Sequence, residues 1–190
     1  MTEDEKYVQG GLYLMDTHRI PDALVCFDNA VKANPANAEG WYHRGRCLAY
    51  MSRPEEALES IDKSLHLDNT HPEAWLERAQ LLTVLDDNAQ ALDSIESAIS
   101  LEEDVPQLWF MKAQCLRSLG RLEDAQQAFA KAYELEEDYV PAYIERGACL
   151  VEMNRIDEAR ACFEQSLEID EDHDEARKWI KRCDKLKGGK

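Results

Sequence analysis

Basic residues are scarce in this chain of 190 residues: 22 lysines and arginines stand against 39 aspartates and glutamates, and the net charge is −17. Residues 174–190 hold seven basic and three acidic side chains, so residues 1–173 carry only 15 basic against 36 acidic ones. A surface this acidic repels phosphate backbones and anionic lipids. We therefore expect neither nucleic acid nor a membrane surface as a partner, and the acidic surplus either keeps the protein soluble or steers a basic partner.

Long apolar segments are also missing. The sequence has no run of about 18 apolar residues, which is the length that a membrane-spanning helix needs. Its first six residues, MTEDEK, are acidic and lack the apolar stretch of a secretory signal. The sequence therefore predicts a cytoplasmic protein.

The familiar catalytic and metal-binding motifs do not occur: there is no glycine-rich phosphate loop, H-E-x-x-H pair, C-x-x-C pair or G-x-S-x-G elbow. The five histidines show no ligand spacing, and we expect them to be solvated. Acidic segments such as residues 102–104 lack the central glycine and spaced ligands of a calcium loop. We predict that the chain is not an enzyme and has no metal or cofactor, with an enzyme of unrecognised site as the remote alternative.

What the sequence does contain is a repeat. An aromatic residue returns every 34 positions, at Tyr7, Trp41, Trp75, Trp109 and Tyr143. A strict period of this length indicates one short supersecondary unit stacked five times. We predict that these rings are core residues that hold neighbouring helices in register, and that they are not the binding site.

Each repeat is numbered from three residues before its aromatic, so position 1 falls at Asp4, Ala38, Pro72, Pro106 and Val140. Position 8 is then glycine or alanine, position 11 is always leucine, position 20 is always alanine, position 24 is phenylalanine or isoleucine, and position 27 is alanine or serine. Positions 4, 8 and 11 share one face of a helix, and positions 20, 24 and 27 share one face of a second. With Gly120 and Asn154 as helix-stopping residues at position 15, and with no strand-like alternation, the pattern predicts an all-α fold of about ten repeat helices.

Six cysteines would suit three disulfides, but their repeat positions argue against pairing. Cys47, Cys115 and Cys149 share position 10, and Cys26 and Cys162 share position 23. Equivalent positions of stacked helices lie roughly 8–10 Å or more apart, beyond the Cα separation of about 7 Å that a disulfide allows. We expect free thiols in a reducing compartment.

The residues at positions 4, 8, 20, 24 and 27 closely resemble the pattern of the tetratricopeptide repeat family. The resemblance implies a right-handed superhelical α-solenoid of antiparallel helix pairs, with repeats at 4–37, 38–71, 72–105, 106–139 and 140–173 in a single domain. Two departures are mild. Position 7, where the family favours leucine, carries a basic residue in four repeats and is expected to add surface charge, and the family's proline at position 32 survives only as Pro35.

Residues 174–187 continue as one further helix without a partner. The aromatic position holds Arg177, so this segment is not a sixth repeat. We predict a capping helix in which Trp179, Ile180 and Cys183 cover the last repeat, with a frayed end at residues 187–190. The alternative is a basic docking arm for an acidic partner.

The resemblance also implies that first helices line a concave groove with positions 2, 5, 6, 9, 12 and 13, which we call the groove-side positions. From these we select the following candidate binding residues: Val8, Leu12, Met15, Tyr42, Arg46, Tyr50, Glu73, Leu76, Glu77, Val84, Phe110, Met111, Gln114, Arg117, Ile144, Glu145 and Val151. Position 5 is apolar or aromatic in every repeat. These side chains either contact a partner or pack, half-buried, against neighbouring first helices.

The cations of a two-carboxylate clamp, which one subclass of the family uses to hold chaperone termini, are missing in every register, and Glu73 and Glu77 would repel a carboxylate. The expected function is therefore a scaffold that binds an apolar or amphipathic, partly basic segment of another protein. The alternative is a structural or self-associating (homo-oligomeric) solenoid whose groove is permanently covered.

Overall fold

The structure is a computed structural model that describes residues 1–188, and within them all regular structure is helical. The helices are α1 (Glu3–Asp16), α2 (Ile20–Ala33), α3 (Ala38–Tyr50), α4 (Pro54–Leu67), α5 (Pro72–Val84), α6 (Asn88–Leu101), α7 (Pro106–Ser118), α8 (Leu122–Leu135), α9 (Val140–Glu152), α10 (Ile156–Ile169) and α11 (Asp174–Gly188). The all-α fold and the ten repeat helices are confirmed. The chain forms two compact units, unit 1 (Met1–Leu101) and unit 2 (Glu102–Lys190), so unit 1 holds repeats 1–3 and unit 2 holds repeats 4 and 5 with α11.

Helix starts follow from local chemistry. Thr2 forms a capping box with Glu5 at the start of α1, and the Asn37 side chain accepts a hydrogen bond from the Gly40 N–H at the start of α3. Proline occupies the first position of α4, α5 and α7, where its missing N–H costs no helical hydrogen bond.

The turn inside each repeat is the same five times. Position 15 has a positive φ in every repeat, at His18, Ser52, Asp86, Gly120 and Asn154, although only Gly120 is a glycine. The following residue donates its N–H to the carbonyl of the position-11 leucine, as Arg53 does to Leu48 at 3.0 Å. This is the hydrogen-bonding pattern of a helix ending in a left-handed residue, and it confirms the tight turn predicted at position 15.

Each unit has a core built from positions 11, 20 and 24. In unit 1, Phe27, Ile61 and Ile95 are fully buried, and in unit 2 the same holds for Phe129 and Phe163. Burying a side chain of this size contributes roughly 1.5–3 kcal/mol. Small residues at position 8 make room for the large ones at position 24.

The aromatic ladder is placed differently from the prediction. Its five rings are only half-buried, and the most deeply buried large side chains are those of positions 11 and 24. The indole N–H groups of Trp41, Trp75 and Trp109 donate to backbone carbonyls six residues earlier, at 2.9, 2.9 and 2.8 Å. These bonds tie α3, α5 and α7 to the segments before them, because an indole has a polar edge that a fully apolar core would leave unpaired.

The basic residues at position 7 do more than add surface charge. Arg44 binds Asp28 of the preceding repeat at 2.7 Å and donates to Ser60 of its own repeat at 2.6 Å. Arg78 repeats both contacts with Asp62 and Ser94, at 2.7 Å each. Since the Arg44 and Arg78 side chains are only 23% and 18% exposed, these are inter-repeat ties within unit 1, which corrects the expectation of plain surface charge.

In unit 2, α11 packs on α10, and Ala176 and Cys183 are fully buried while Trp179 stacks on Phe163 with ring centroids 5.4 Å apart. The positions that pack a repeat's own second helix (4, 8 and 11) carry Arg177, Lys181 and Asp184, which are exposed. α11 thus covers the apolar face of α10 and presents a polar face to the solvent, as a capping helix requires. Lys187 and Gly188 are helical rather than frayed, and the predicted frayed residues 189 and 190 lie outside the described part of the chain.

All six cysteines are free, as predicted, and five of them are buried. Among the described residues, no helix is long and apolar enough to cross a membrane.

Candidate partner-binding surface

The 17 predicted groove-side residues fall into three groups by exposure. Four are exposed: Tyr50, Glu73, Val84 and Gln114. Eleven are half-buried: Leu12, Met15, Tyr42, Arg46, Leu76, Glu77, Phe110, Met111, Arg117, Glu145 and Val151. Two are buried: Val8 and Ile144.

Val8 and Ile144 are therefore not available to a partner in this structure, contrary to the expectation of an exposed apolar stripe at position 5. Val8 is 3% exposed and belongs to the core cluster of unit 1, where α1 contacts α3. Ile144 is 5% exposed and belongs to the core cluster of unit 2. At these two sites the alternative of packing describes the structure, because the short aliphatic side chains do not reach beyond the neighbouring helices.

In unit 1, Arg46 organises the groove side of α3. Its guanidinium lies over the Tyr42 ring, 5.7 Å from the centroid, and it is 3.4 Å from the Tyr50 hydroxyl. Burial raises the pKa of the neighbouring Glu77 carboxyl, and the charge of Arg46 opposes that rise. Beyond these polar groups, Tyr50 and Val84 stand 62% and 72% exposed at the same repeat position.

A cavity of about 340 Å³ opens beside this cluster, between α3, the end of α4 and the start of α5. We call it the His71 cavity; its polar and aromatic lining consists of Glu39, Tyr42, His43, Ser64, Asp68, His71 and Glu73. The rings of Tyr42 and His71 lie 6.0 Å apart and nearly parallel, at 27°. The His71 Nδ1 is 3.0 Å from the Glu73 carboxylate.

His43 is neutral in this cavity. Its ring stacks on the buried Phe27 at 5.4 Å, and its Nδ1 is buried without a hydrogen-bond partner. Burial, and then the charges of Arg46 and His71, lower the pKa of His43 from 6.5 to about 4. The Nε2 lies 3.9 Å from a Glu39 carboxylate oxygen, which favours the tautomer that carries its proton on Nε2 and leaves Nδ1 as an acceptor. The expectation that all histidines are solvated is wrong for His43.

The remaining wall of the cavity is acidic. Hydrogen bonds from the Thr70 hydroxyl and N–H lower the pKa of Asp68. The backbone N–H of Glu73 itself, and the His71 ring, lower the pKa of Glu73. With Glu39, the cavity presents three carboxylates around aromatic faces.

In unit 2 the charged groove-side residues form ion pairs with one another. Arg117 binds Glu145 and Glu152 at 2.5 Å each, linking α7 to α9. These three side chains are between 33% and 43% exposed, so the pairs lie at the surface but are partly shielded from water. The predicted contact residues Arg117 and Glu145 are thus paired with each other.

The equivalent of the His71 cavity in unit 2 is occupied by the protein itself. Tyr139 stands at the repeat position of His71, and its hydroxyl donates to Gln107, the counterpart of Glu39, at 2.7 Å. Phe110, the counterpart of Tyr42, packs edge-on against Tyr139 and Phe129, with centroids 5.4 Å apart in both cases. Much of the Phe110 surface is therefore covered by other side chains of the protein.

The polar and aromatic lining residues outside the predicted set are Glu39, His43, Ser64, Asp68 and His71. Glu39 and His43 lie on a first helix but were not selected, whereas Ser64 lies on α4 and Asp68 and His71 belong to the segment between repeats. The repeat numbering contains the missing signal: position 34, the N-cap residue before each next first helix, is histidine at the open cavity and tyrosine at the filled one. In residues 1–188, no group of three or more His, Cys, Asp or Glu side chains is arranged to hold a metal ion.

Comparison with known proteins agrees with the repeat pattern. Two tetratricopeptide repeat profiles match, one over residues 8–72 and 76–139 and the other over residues 116–183. Among curated proteins no sequence match is found.

Solved structures share the fold at low sequence identity. YrrB, described as a TPR protein with an unusual peptide-binding site, is 21% identical with a TM-score of 0.85, over 92% of this chain and 90% of YrrB. A MamA structure is 24% identical with a TM-score of 0.84, over 88% of this chain and 92% of MamA. MamA from Desulfovibrio magneticus RS-1 is 18% identical with a TM-score of 0.84, over 92% and 99%. These likenesses show the tetratricopeptide α-solenoid fold, and because the profiles match more than half of the residues, the chain belongs to the tetratricopeptide repeat family.

Proposed function

We propose that this protein is an interaction scaffold that binds a segment of a partner protein on the groove-side positions of its first helices. It acts by binding alone, without catalysis, in the cytoplasm. The peptide-binding site named for YrrB is a property of that protein, and at 21% identity it supports the proposal only through the shared fold.

The observation that carries the proposal is the exposed apolar surface of unit 1. Tyr50 and Val84 both stand at position 13 and are mostly exposed, next to the half-buried Tyr42 and Leu76. Apolar groups gathered on one side of a monomer mark a contact surface, because leaving them in water forfeits burial energy. The segment that fits this surface has apolar side chains together with basic ones.

A double variant tests this surface without touching the core. Tyr50→Ala with Val84→Ala removes both exposed side chains, and the control is Val25→Ala with Leu67→Ala, a pair that is also exposed (58% and 42%) at repeat positions outside the groove side. Partners crosslinked in native lysate would be quantified by mass spectrometry for wild type and both variants. We expect the groove-side pair to lose a reproducible set of partners that the control keeps; equal capture by all three proteins would refute the proposal.

One observation favours the alternative of self-association. Position 10 is 5% exposed or less at Cys47, Leu81, Cys115 and Cys149, but Tyr13 in the first repeat is 68% exposed. A second copy could cover this face. Light scattering across a concentration series separates the two functions: a constant monomer mass favours partner binding, while a rising mass that Tyr13→Ala abolishes favours self-association.

A further inference from the structure

The His71 cavity has the features of a subsite for one side chain of a bound segment. It combines a volume of about 340 Å³ with stacked aromatic faces and an acidic wall, and it lies beside Tyr42 on the groove side of α3. We propose that this cavity binds the guanidinium group of an arginine side chain from the partner, an inference that rests on the proposed partner-binding function.

The charges around the cavity select a cation. Glu39, Asp68 and Glu73 supply three carboxylates, and His43, facing them from α3, stays neutral near pH 7. The nearest arginine, Arg46, is already placed over Tyr42 and near the Tyr50 hydroxyl. An anionic side chain would meet uncompensated repulsion here, whereas a cation gains from every carboxylate.

The shape favours guanidinium over ammonium. The near-parallel rings of Tyr42 and His71 offer flat faces, and the exposed carboxylates of Glu39 and Glu73 (both 61% exposed) stand at the rim. A guanidinium is planar, stacks on aromatic rings and donates in a fork to carboxylates, while an ammonium is a strongly hydrated point charge.

A comparison within the molecule shows that the opening does not follow from the repeat fold itself. At the same repeat positions in unit 2, Gln107, Tyr139 and Pro141 replace Glu39, His71 and Glu73. There the Tyr139 hydroxyl bonds Gln107 and its ring packs on Phe110, so the protein satisfies its own groups. In unit 1 the same repeat positions leave a cavity. Asp68 accepts hydrogen bonds from Thr70 and the Glu73 carboxylate lies 3.0 Å from the His71 ring, but the Glu39 and Glu73 side chains remain 61% exposed at the rim.

The test is an NMR titration of the full chain with N-acetyl-arginine amide, followed through backbone amide shifts. N-acetyl-lysine amide and N-acetyl-citrulline amide are the comparison probes, since citrulline keeps the planar shape and loses the charge. We expect saturable shifts confined to residues 38–43 and 64–73 with the arginine probe, affinity for lysine several-fold lower, and no response to citrulline. Equal binding of citrulline or lysine, or shifts centred elsewhere, would overturn the assignment.

Variants sharpen the same titration. Glu39→Gln with His71→Tyr transplants the filled arrangement of unit 2, and we expect arginine binding at least about tenfold weaker. Glu73→Gln, at an exposed rim position, gives a weaker loss in a protein whose folding the change spares, and it keeps the test valid if the double variant melts early. Glu55→Gln, on α4 and outside the cavity lining, is the matched charge control and should leave affinity within about twofold of wild type. Wild-type affinity in both cavity variants refutes the subsite.

The outcome is separable from that of the proposed function. Arginine binding needs no partner protein, so it can be observed even if the Tyr50 and Val84 variants leave partner capture unchanged. Conversely, partner capture that depends on Tyr50 and Val84 but survives Glu39→Gln with His71→Tyr would support the scaffold and reject the arginine subsite.

Discussion

The junction of repeats 2 and 3 and the junction of repeats 4 and 5 share one backbone design but use it in opposite ways. His71 and Tyr139 each precede the next first helix as its N-cap residue. Around His71 the side chains leave a cavity with three carboxylates, and around Tyr139 a hydroxyl and two aromatic rings close the same place. Repeat proteins can therefore switch a site on or off by changing surface side chains, while the buried positions 11, 20 and 24 keep the frame constant.

The largest expected difference between the two junctions lies at position 5. Phe110→Ala should lower the free energy of unfolding by about 3 kcal/mol, because Phe110 packs on both Phe129 and Tyr139. Tyr42→Ala, the matched change at the junction of repeats 2 and 3, should cost about 1 kcal/mol, since that half-buried side chain borders the open His71 cavity. Urea denaturation of both variants measures the contrast, and equal losses would mean that the junctions are packed alike.

The next effect concerns His43, whose pKa of about 4 lies below the 6.5 of an ordinary histidine. Between pH 6.5 and about 4, His43 is protonated in the unfolded chain and neutral in the folded protein. Burial of the neutral imidazole therefore leaves the free energy of unfolding undiminished above pH 6.5, and the free energy of unfolding decreases as the pH falls to about 4. At about 1.4 kcal/mol per pKa unit, this shift corresponds to a loss of about 3 kcal/mol.

The matched variant is His43→Met, because Met111 holds the same position in unit 2. Its stability should fall less steeply between pH 6.5 and 4 than that of wild type, while His66→Met, which removes an exposed histidine, should keep the wild-type slope. Unfolding curves at several pH values decide this, and parallel slopes for wild type and His43→Met would contradict a buried neutral imidazole.

A smaller effect is expected from the ion pairs of unit 2. Arg117→Met leaves Glu145 and Glu152 without their shared cation, and stability should fall by about 1 kcal/mol at low salt. The penalty should shrink at high salt, because salt screens the remaining repulsion. Arg46→Met in unit 1 is the control with a smaller salt dependence; a salt-independent loss at Arg117 would point to packing instead.

The smallest effect tests what closes the junction of repeats 4 and 5. Tyr139→Phe removes only the hydroxyl that donates to Gln107, at an exposed site, and should cost about 0.5 kcal/mol. A thermal melt is sufficient to measure it. A loss as large as that of Phe110→Ala would show that the hydrogen bond, rather than the ring, holds the junction closed.

The sequence predicted those features that depend on one repeat and its period. Helix pairs, the turn at position 15, the buried position 24 and the free cysteines all follow from residue types at a fixed spacing. The burial of Val8 and Ile144 could not be read in the same way, because it depends on how far a neighbouring helix covers a short side chain.

Contacts between repeats were likewise beyond the sequence pattern. Arg44 looked like a surface charge because its partner Asp28 is 16 residues away in another repeat, and His43 looked solvated because the ring below it, Phe27, also belongs to the previous repeat. The His71 cavity could not be predicted either, because its lining comes from three segments, namely α3, the end of α4 and the start of α5. Side chains that take their environment from a neighbouring repeat are the ones that a single-repeat pattern misassigns.

The position-7 arginines of repeats 2 and 3 also favour a particular kind of preceding repeat. Arg44 binds an aspartate at position 25 of the repeat before it, and Asp62, in the same repeat as Arg44, stands at position 25 and binds Arg78. A duplicated copy of residues 38–71 would therefore offer the next copy the carboxylate that its arginine needs. The first repeat carries Gly10 at position 7 and could not make this contact if it were moved inward. Residues 38–71 thus contain both partners of the inter-repeat contact and are suited to lengthening by tandem duplication, whereas the first repeat contains only the aspartate.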